Sequence, residues 1–374
     1  MKKTHLFTAL ILSSFLFNFS SYAIPHFFPN ASAIPPYLLP NVTGGAWDGF
    51  QNLLGCRPGQ KVDGLGKLKK YFQYFGYINS SSANATDDFD DYLESAIKTY
   101  QLNFNLNPTG ELDNPTLKQL MMPRCGIADI INGSSTMNSG KNPPASANLH
   151  IHNVAHYTFF PGSPRWPANR RDLTYAFHPD NQVPQNAKAV FASAFQRWAA
   201  VIPMTFVETS SFQAADIRIA FASGEHGDGE PFDGVLGTLA HAFSPTSGML
   251  HLDADETWVI DGDFSTSSSI FAVDLESVVI HEIGHLLGLG HSSVVDAMMY
   301  PSIASRTRKL NLAGDDIEGI QVLYGANPNF NGSSTTPTPT GQRETSPNGG
   351  VHIGVTYSSQ FLLAAAFTLL LSLL

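Results

Sequence analysis

The chain has 374 residues, of which 43% are hydrophobic and 14% are charged, so it can build two or three folded domains and is not disordered throughout. Lys and Arg total 21 against 31 Asp and Glu, a formal charge of −10, so we expect no nucleic-acid partner. Two cysteines cannot build a disulfide framework, so stability outside the cytosol would depend on apolar cores or metal ions. The 13 histidines are potential metal ligands.

The first 23 residues have the pattern of a cleaved secretory signal peptide. Two lysines precede an apolar run over residues 6–17, and small residues end the segment at Ala23. A membrane-spanning anchor is the alternative, and it is disfavoured because the run is short and Asn18 follows it. Six Asn-x-Ser/Thr sequons fit an exported glycoprotein, although each tripeptide alone is a weak signal: Asn30, Asn41, Asn79, Asn84, Asn132 and Asn331.

The C-terminus carries a second apolar run, residues 361–374, which is shorter than the roughly 20 residues that a spanning helix needs. Asn348, two glycines and a short spacer precede it, in the order of a glycosylphosphatidylinositol (GPI) attachment signal. We predict attachment at Asn348 and removal of residues 349–374, which would tether the protein to the outer face of the plasma membrane. A plain tail or a spanning helix is the alternative. Residues 327–348 are rich in Pro, Ser and Thr and are predicted to form a flexible stalk.

Residues 64–122 contain three helical patterns with little between them. Asn114 is predicted to cap the third helix, with Pro115 in its first turn. The first two helices are defined by apolar positions at helical spacing, namely Leu65, Leu68, Tyr71, Phe72 and Phe75, then Phe89, Tyr92, Leu93, Ile97 and Tyr100. The pattern predicts a small three-helix domain, and residues 131–146 after it read as a mobile polar connector.

Beyond the connector the pattern becomes that of an α+β module. Strands are predicted from β-branched and aromatic runs at 173–178, 204–208 and 217–222. Helices are predicted from apolar spacing at 185–201, 273–287 and 314–324. Asp315 and Asp316 open the last helix, where carboxylates interact favourably with the helix dipole, and that is a sufficient reason for their presence.

The segment from His281 to His291 reads His-Glu-Ile-Gly-His-Leu-Leu-Gly-Leu-Gly-His. His281 and His285 are four residues apart, so a helix presents both imidazoles on one face, within reach of one zinc ion. Gly288 can adopt a left-handed conformation and end the helix, which lets His291 return as a third ligand. Three protein ligands leave one position open, as in catalytic zinc sites, and Glu282 can accept a proton from the attacking water. A surface helix with chance histidines is the alternative, but this long pattern is far more specific than His-Glu-x-x-His alone.

This pattern resembles that of the metzincin metalloproteases, and Met299 resembles the methionine of their Met-turn. The sequence Pro-Arg-Cys-Gly-Ile-Ala-Asp around Cys125 is similar to the cysteine switch of matrix metalloproteinases, in which a thiolate fills the open zinc position. The resemblance covers residues 54–325 and is strongest to the short plant matrix metalloproteinases. It implies a zymogen with a propeptide over residues 24–149, whose helical module resembles a peptidoglycan-binding module. It also implies a catalytic domain over residues 150–326 with a twisted, mostly parallel sheet and three helices.

The resemblance further implies two structural metal sites. A closed four-ligand zinc site would be formed by three histidines and one aspartate: His226, Asp228, His241 and His251. A calcium ion, which prefers oxygen ligands, would be held by three carboxylates and three backbone carbonyls: Asp233, Asp253 and Glu256 with Gly234, Leu236 and Thr238. A solvated acidic loop is the alternative for calcium. A second calcium at Asp216 is disfavoured because the loop between His241 and His251 is short.

By the same resemblance, the substrates would be extracellular proteins or peptides. The enzyme is expected to be a monomer. The backbone around Leu239 and Ala240 would align an extended peptide. The pocket for the residue after the scissile bond would be bounded by Ser277 and Ile303. Because a serine cannot fill this pocket as Arg or Tyr would, we expect cleavage before hydrophobic residues such as Leu and Met.

Several further side chains are predicted to have ordinary roles. Cys56 is predicted to be a free propeptide thiol, since a bond to Cys125 would disarm the switch. His150, His152 and His156 alternate along the chain, and an exposed polar strand is favoured there over another metal site. No basic convertase site lies between Cys125 and His150, which argues against furin-like activation and leaves the activating protease open.

The alternative to an enzyme is a binding protein in which the helical module recognises a glycan. In that interpretation the chain is a catalytically silent cell-surface protein that binds wall or matrix glycans. A silent descendant would be expected to have lost the base or a zinc ligand, whereas Glu282 and the three histidines are all present. The sequence therefore predicts a zinc-dependent endopeptidase made as a zymogen.

Overall fold

The computed structural model describes residues 44–79, 85–137 and 157–332. The predicted signal peptide and the predicted GPI attachment site, Asn348, lie outside the described residues. The three alternating histidines, His150, His152 and His156, also lie outside them, as do three sequon asparagines: Asn30, Asn41 and Asn84. The asparagines of the other three sequons are exposed on the surface: Asn79, Asn132 and Asn331.

Three helices form the N-terminal module after a short 3-10 turn. Their bounds are Leu65–Tyr74 (α1), Asp91–Asn103 (α2) and Asn114–Leu120 (α3). Every predicted apolar position is buried except Tyr92, which is 58% exposed and faces solvent from the first turn of α2. The cap of α3 is Asp113 rather than Asn114, because the Asp113 carboxylate accepts a hydrogen bond of 3.0 Å from the Thr116 backbone N–H.

A buried ion pair joins the first two helices. The Lys69 side chain on α1 is fully buried, and its Nζ lies 2.5 Å from the Asp90 carboxylate. Asp90 also caps α2 by accepting a hydrogen bond of 2.9 Å from the Leu93 backbone N–H. One carboxylate therefore neutralises the buried lysine and begins the next helix, which sets the position of α2 on α1.

The segment after α3 is more ordered than a polar connector. It holds strand β1 (Arg124–Cys125) and an antiparallel hairpin of β2 (Ile130–Ile131) and β3 (Ser134–Ser135). The hairpin turns through Asn132 and Gly133, both with positive φ, and Met137 beyond it is buried in the helical core. The prediction of a mobile connector from residue 131 is thus wrong for residues 131–137, because backbone pairing and an apolar anchor hold them on the helical module.

A six-stranded sheet lies at the centre of the C-terminal module. Besides β1, its strands are β4 (Asp172–Phe177), β5 (Thr205–Glu208), β6 (Ile217–Ala222), β7 (Thr238–Ala242) and β8 (Met249–Asp253). The order is β1-β7-β8-β6-β4-β5, and all neighbours are parallel except the pair β7 and β8. A short parallel pair, β9 (Trp258–Val259) and β10 (Val273–Asp274), stands apart from it. Because β1 comes from the predicted propeptide, that segment supplies one edge of the sheet.

Three helices complete the C-terminal module, namely α4 (Gln185–Ala199), α5 (Leu275–Leu286) and α6 (Gly314–Tyr324). Trp198 on α4 is fully buried and donates its indole N–H to the Ile280 carbonyl of α5 at 2.9 Å. Helix α5 begins two residues later than predicted because Val273 and Asp274 pair with β9 instead. The prediction of an α+β fold with a mostly parallel sheet and three helices is confirmed.

The helical module and the α+β module pack together as one compact unit. Asn105, just after α2, donates to the Ser293 carbonyl at 2.8 Å, and the rings of Phe104 and Tyr300 meet edge to face at 5.9 Å. The helical module therefore rests on the segment that follows the third histidine of the long motif. None of the helices in the described part of the chain is long and apolar enough to cross a membrane.

Candidate active site

The three histidines of the long motif meet at one buried point. Asp274 caps α5 by accepting from the Ser277 N–H at 3.0 Å, and the helix presents His281 and His285 one turn apart with their Nε2 atoms 3.1 Å apart. Gly288 has a φ of 105°, and a Cβ there would collide with the Pro164 carbonyl oxygen, so only glycine allows the chain to turn back. The turn brings the ring centre of His291 to 4.8 Å from that of His285.

The second nitrogen of each ring has a hydrogen-bond partner, which turns the Nε2 atoms toward one another. His281 Nδ1 lies 2.8 Å from the Met298 carbonyl oxygen, and His285 Nδ1 lies 2.8 Å from that of Leu289. His291 Nδ1 lies 2.9 Å from Asp129 Oδ1. Hydrogen bonds at Nδ1 of this kind select the tautomer that leaves Nε2 free to bind a metal ion.

A zinc ion fits this arrangement. Ligand nitrogens at 2.0 to 2.1 Å from a tetrahedral zinc lie about 3.3 Å apart, close to the separation between His281 and His285. His291 Nε2 is buried and has no hydrogen-bond partner among the described residues, as expected of an atom reserved for a metal. Burial, with a smaller contribution from His291, lowers the pKa of His281 to about 3, so the ring is neutral at neutral pH, the form that binds metals.

Cys125 reaches the same point from strand β1. Its Sγ lies 3.4 Å from His285 Nε2 and accepts from the Ile127 backbone N–H at 3.4 Å. Burial raises the pKa of the Cys125 thiol well above its ordinary value, and the nearby Glu282 carboxylate raises it further. A cation bound among the histidines would reverse this effect, because a thiol gives up its proton to solvent when its sulfur coordinates a metal ion.

Strand β1 is held in place by backbone hydrogen bonds on both sides. Arg124 N–H donates to the Gly237 carbonyl at 2.8 Å, and Gly126 N–H donates to the Ala240 carbonyl at 2.8 Å. On the other side, Cys125 N–H donates to the Pro301 carbonyl at 2.9 Å. A side chain at position 126 would press against Thr238, so the glycine after Cys125 allows this close approach. The strand occupies the cleft between β7 and the segment after the Met-turn.

Glu282 is fully buried beside the thiol. Neither of its carboxylate oxygens has a hydrogen-bond partner among the residues that the structure describes. Burial raises the pKa of Glu282 to about 8, against a smaller lowering by the nearby Cys125 thiol. A carboxylate with a raised pKa and no competing partner can take up and release a proton near neutral pH.

Met299 packs directly beneath the histidine helix. A Cβ built on Gly284 would collide with Met299 Sδ, so the helix and the Met-turn are in close contact. Asp316 on α6 fixes this turn, because its buried carboxylate accepts from the backbone N–H groups of Met298 and Met299 at 2.7 and 3.0 Å. The helix-dipole account of Asp316 is therefore incomplete. The burial of Asp316 depends on tertiary packing and cannot be predicted from the sequence. The only sequence signal for this residue is its position beside Asp315 in the first turn of a helix.

The second histidine cluster also comes together as predicted from the resemblance. His241 and His251 face each other across the antiparallel pair β7 and β8. Asp228 Oδ2 lies 3.0 Å from His226 Nε2, 2.8 Å from His241 Nε2 and 2.7 Å from His251 Nδ1. Four ligand atoms of the types zinc prefers lie within 4.8 Å of one another.

The three carboxylates of the predicted calcium site line the loop before β7 and the end of β8. Glu256 accepts from the Leu236 N–H at 2.7 Å, and Asp233 accepts from the Thr238 N–H at 2.9 Å. Burial, together with neighbouring carboxylates, raises the pKa of Asp253 to about 7. One oxygen each of Asp253 and Glu256 is buried without a hydrogen-bond partner in the described part of the chain.

Asp216, the disfavoured position for a second calcium, has other partners. Its carboxylate accepts from the Thr174 backbone N–H at 2.8 Å and the Thr174 hydroxyl at 2.9 Å, and it forms an ion pair with Arg170. Cys56 is buried in the helical module and, like Cys125, is a free thiol. The free thiol of Cys56 agrees with the sequence prediction for that residue.

A small cleft leads away from the histidines. Leu239, Ser277, Val278 and Ile303 line it, together with Lys309, which no sequence motif indicated. Ser277 accepts from the Lys309 backbone N–H at 2.8 Å, and Lys309 Nζ donates to the Val295 carbonyl at 2.7 Å. The cleft is thus not wholly apolar, because Lys309 enters it from a loop about thirty residues after Ser277 in the sequence.

Fold and site together define the class: a metal-dependent peptidase with a histidine-bound zinc ion and a buried glutamate beside it. Residues 165–325 match the Matrixin family, and residues 62–120 match the family described as putative peptidoglycan binding domain. The chain is 56% identical over 336 residues to Metalloendoproteinase 2-MMP of Arabidopsis thaliana, covering 88% of this chain and 89% of that protein. It is 50% identical over 303 residues to Metalloendoproteinase 1 of Glycine max, covering 80% and 92%. Neutrophil collagenase of Homo sapiens is 36% identical over 283 residues, covering 73% and 52%.

The chain belongs to the matrix metalloproteinase family, and it is a zinc metalloendopeptidase that hydrolyses peptide bonds. The predicted resemblance to the plant members is confirmed by identities of 50 to 56% over most of the chain. The alternative of a catalytically silent binding protein is not supported, since these relatives carry the names of metalloendoproteinases and the site retains Glu282 and all three histidines.

Proposed function

We propose that this zinc metalloendopeptidase is secreted as a precursor whose residues 24–149 keep it latent through Cys125. The position of the Cys125 thiol, 3.4 Å from His285 Nε2 and within the ring of three histidines, carries this proposal. His281, His285 and His291 would hold the catalytic zinc through Nε2, and Cys125 would fill the fourth position. Replacement of Cys125, described in the Discussion, tests it.

In the mature enzyme the chain's own groups would carry out the proton transfers. When bound, zinc lowers the pKa of a water molecule and polarises the scissile carbonyl. Glu282 takes a proton from the attacking water and delivers it to the leaving amine. Burial supports this role, because it raises the pKa of Glu282 and leaves its oxygens without competing partners among the described residues.

The edge of β7 would align the substrate. In the precursor this edge pairs with β1, and the Ala240 carbonyl accepts from Gly126. Loss of the propeptide frees the backbone groups around Leu239 and Ala240 for an extended peptide, which would add to the sheet as a strand. Propeptide and substrate therefore compete for the same edge, which adds to the block at the zinc position.

The cleft beside Ser277 would set specificity for the residue after the scissile bond. Leu239, Val278 and Ile303 offer apolar walls, so we expect cleavage before Leu or Met, with a change from Leu to Ala costing about 1 to 3 kcal/mol in transition-state binding. Ser277→Arg should fill the cleft and lower kcat/KM for long side chains more than for Leu. A peptide series varied at this one position measures both effects.

Ser265→Arg is a matched control for the specificity variant, because Ser265 is exposed and does not line the cleft. Its cleavage profile should equal that of the unchanged enzyme. A profile that is flat at this position, or that prefers charged residues there, would overturn the pocket assignment and leave the zinc chemistry untouched.

The remaining metal sites would stabilise the catalytic domain. His226, Asp228, His241 and His251 would hold a structural zinc. Calcium would be bound by the carboxylates and backbone carbonyls of one loop region: Asp233, Asp253, Glu256, Gly234, Leu236 and Thr238. The buried, unpartnered oxygens of Asp253 and Glu256 support this proposal, since uncompensated buried carboxylates are costly without a cation.

Calcium is expected to raise the thermal midpoint of unfolding. A ligand at 100 times its Kd stabilises the native state by about 2.7 kcal/mol. Asp253→Asn should remove most of this calcium-dependent rise, measured by calorimetry with and without calcium. Asp261→Asn changes an exposed aspartate and should retain the rise in full. An equal calcium response in both variants would contradict the assignment.

The sequence patterns near both ends of the chain support a location at the cell surface. We propose a signal peptide over residues 1–23, a catalytic domain over 150–326, a stalk over 327–348 and GPI attachment at Asn348, on the sequence patterns described above. A phospholipase C specific for phosphatidylinositol should release the protein from membranes, and Asn348→Gln should prevent anchoring. Asn331→Gln, in a sequon, should leave anchoring intact. Retention in the membrane after phospholipase treatment would favour a spanning tail.

A further inference from the structure

One partner of the histidine cluster comes from the propeptide and is not Cys125. Asp129 Oδ1 lies 2.9 Å from His291 Nδ1, and both side chains are fully buried. The corresponding nitrogens of His281 and His285 meet backbone carbonyls of Met298 and Leu289, which belong to the catalytic domain itself. Among the three histidines, only His291 therefore takes its outer partner from the segment that maturation would remove.

The Asp129 carboxylate is held rigidly by charge and hydrogen bonds. Arg124 donates from Nη2 to Oδ1 at 2.7 Å and from Nη1 to Oδ2 at 2.9 Å, a two-point contact. The Tyr77 hydroxyl donates to Oδ2 at 2.8 Å. With both oxygens engaged, Asp129 keeps a fixed orientation toward His291.

Arg124 is in turn fixed by the helical module. Its guanidinium carbon lies 3.7 Å from the centre of the Phe75 ring, and its Nη1 lies 3.4 Å from the Tyr71 hydroxyl. Tyr71 and Phe75 belong to the buried core built on α1. A continuous chain of contacts thus runs from the folded core of the propeptide through Arg124 and Asp129 to His291.

Outer partners of this kind affect metal affinity. A carboxylate on the second nitrogen of a ligating histidine fixes the ring and makes the ligating nitrogen more basic, and its loss typically costs about 10 to 100-fold in metal affinity. The buried position of Asp129 excludes water from the contact, which strengthens the interaction further. A backbone carbonyl, the partner of the other two rings, carries no net charge and has a smaller effect.

We propose that Asp129 is a positioning residue for His291 that makes the precursor hold its catalytic zinc more tightly than the mature enzyme does, by an effect separate from ligation through Cys125. The inference rests on the proposed zinc ligation by His281, His285 and His291. The helical module would then also affect zinc affinity, because the core of this module holds Arg124 and thereby Asp129. The catalytic zinc would accordingly be bound most tightly before the propeptide is removed.

The test measures zinc release from the full precursor into excess chelator. All variants carry Glu282→Ala so that the chain cannot cleave itself and lose Asp129. Asp129→Asn should speed release of one zinc ion by about 10 to 100-fold, both with Cys125 present and with Cys125→Ser. Release of the second zinc, from the His226 cluster, should stay unchanged and serves as an internal reference. Cobalt-substituted precursor should show a shifted visible absorption band in the same variant.

Two further variants separate positioning from folding. Tyr77→Phe removes a hydrogen bond to Asp129 but leaves the contact with His291, so it should change release less than Asp129→Asn does. Arg124→Gln with Asp129→Asn removes both buried charges together, so that no unpaired guanidinium remains, and it should still speed release. Circular dichroism and the thermal midpoint establish that each variant is folded.

Unchanged release of both zinc ions in folded Asp129→Asn would overturn the inference. Faster release of both ions with a lowered thermal midpoint would also overturn it, since that pattern marks a general structural role. A precursor that binds fewer than two zinc ions before any change at Asp129 would instead refute the underlying ligand assignment, so the two failures are distinguishable.

Discussion

Replacing Glu282 with alanine is expected to lower kcat/KM by at least about a hundredfold, because a positioned general base contributes about 10² to 10⁴ in rate. The fold should survive the change, since the Glu282 oxygens have no hydrogen-bond partner among the described residues and burying an unpaired carboxyl is costly. Kinetics of the matured enzyme on a fluorogenic peptide, with metal analysis of the same sample, provide the measurement. Two zinc ions per chain should remain bound.

Glu318→Ala is the matched control for the Glu282 variant. Glu318 lies exposed on α6, away from the cleft, so its loss should leave kcat/KM unchanged. Glu282→Gln keeps the shape of the side chain without the base and should be as slow as the alanine variant. Activity comparable to the unchanged enzyme in either Glu282 variant, with zinc retained, would refute the role assigned to this residue.

Replacing Cys125 with serine is expected to give activity in the uncleaved precursor, at least about tenfold above the unchanged precursor, because a serine hydroxyl is a far poorer zinc ligand than a thiolate. The activity should stay below that of the mature enzyme. Strand β1 would still be paired with β7 through the Gly126 to Ala240 hydrogen bond, and it would compete with substrate for that edge. Initial rates, with mass spectrometry to establish that the precursor is intact, provide the measurement.

Cys56→Ser is the matched control for the switch variant. Cys56 is the only other cysteine in the chain and is a free thiol buried in the core of the helical module. This precursor should stay silent, and mercurial reagents should still activate it through Cys125. If the Cys125 variant stays as silent as the unchanged precursor, or the Cys56 variant becomes equally active, the switch is not at Cys125.

Local periodicity was enough to predict much of the fold. The helix Gly314–Tyr324 and the strand Ile217–Ala222 have the predicted bounds, because side-chain spacing within one element depends only on its own geometry. The same holds for the zinc motif. A four-residue spacing on a helix and a glycine at the turn are local properties, so His281, His285 and His291 could be grouped from the sequence alone.

The order of the sheet and the outer contacts of the site were decided only by tertiary structure. Asp129 and His291 are 162 residues apart, and Lys309 enters the cleft from a loop after the Met-turn. Asp316 looked like an ordinary helix-start carboxylate, yet it is buried and fixes Met298 and Met299. Such contacts join distant parts of the chain through burial and charge pairing, which leave no period in the sequence. The sequence therefore determined the elements and the zinc motif, and the packing of those elements determined which further side chains support them.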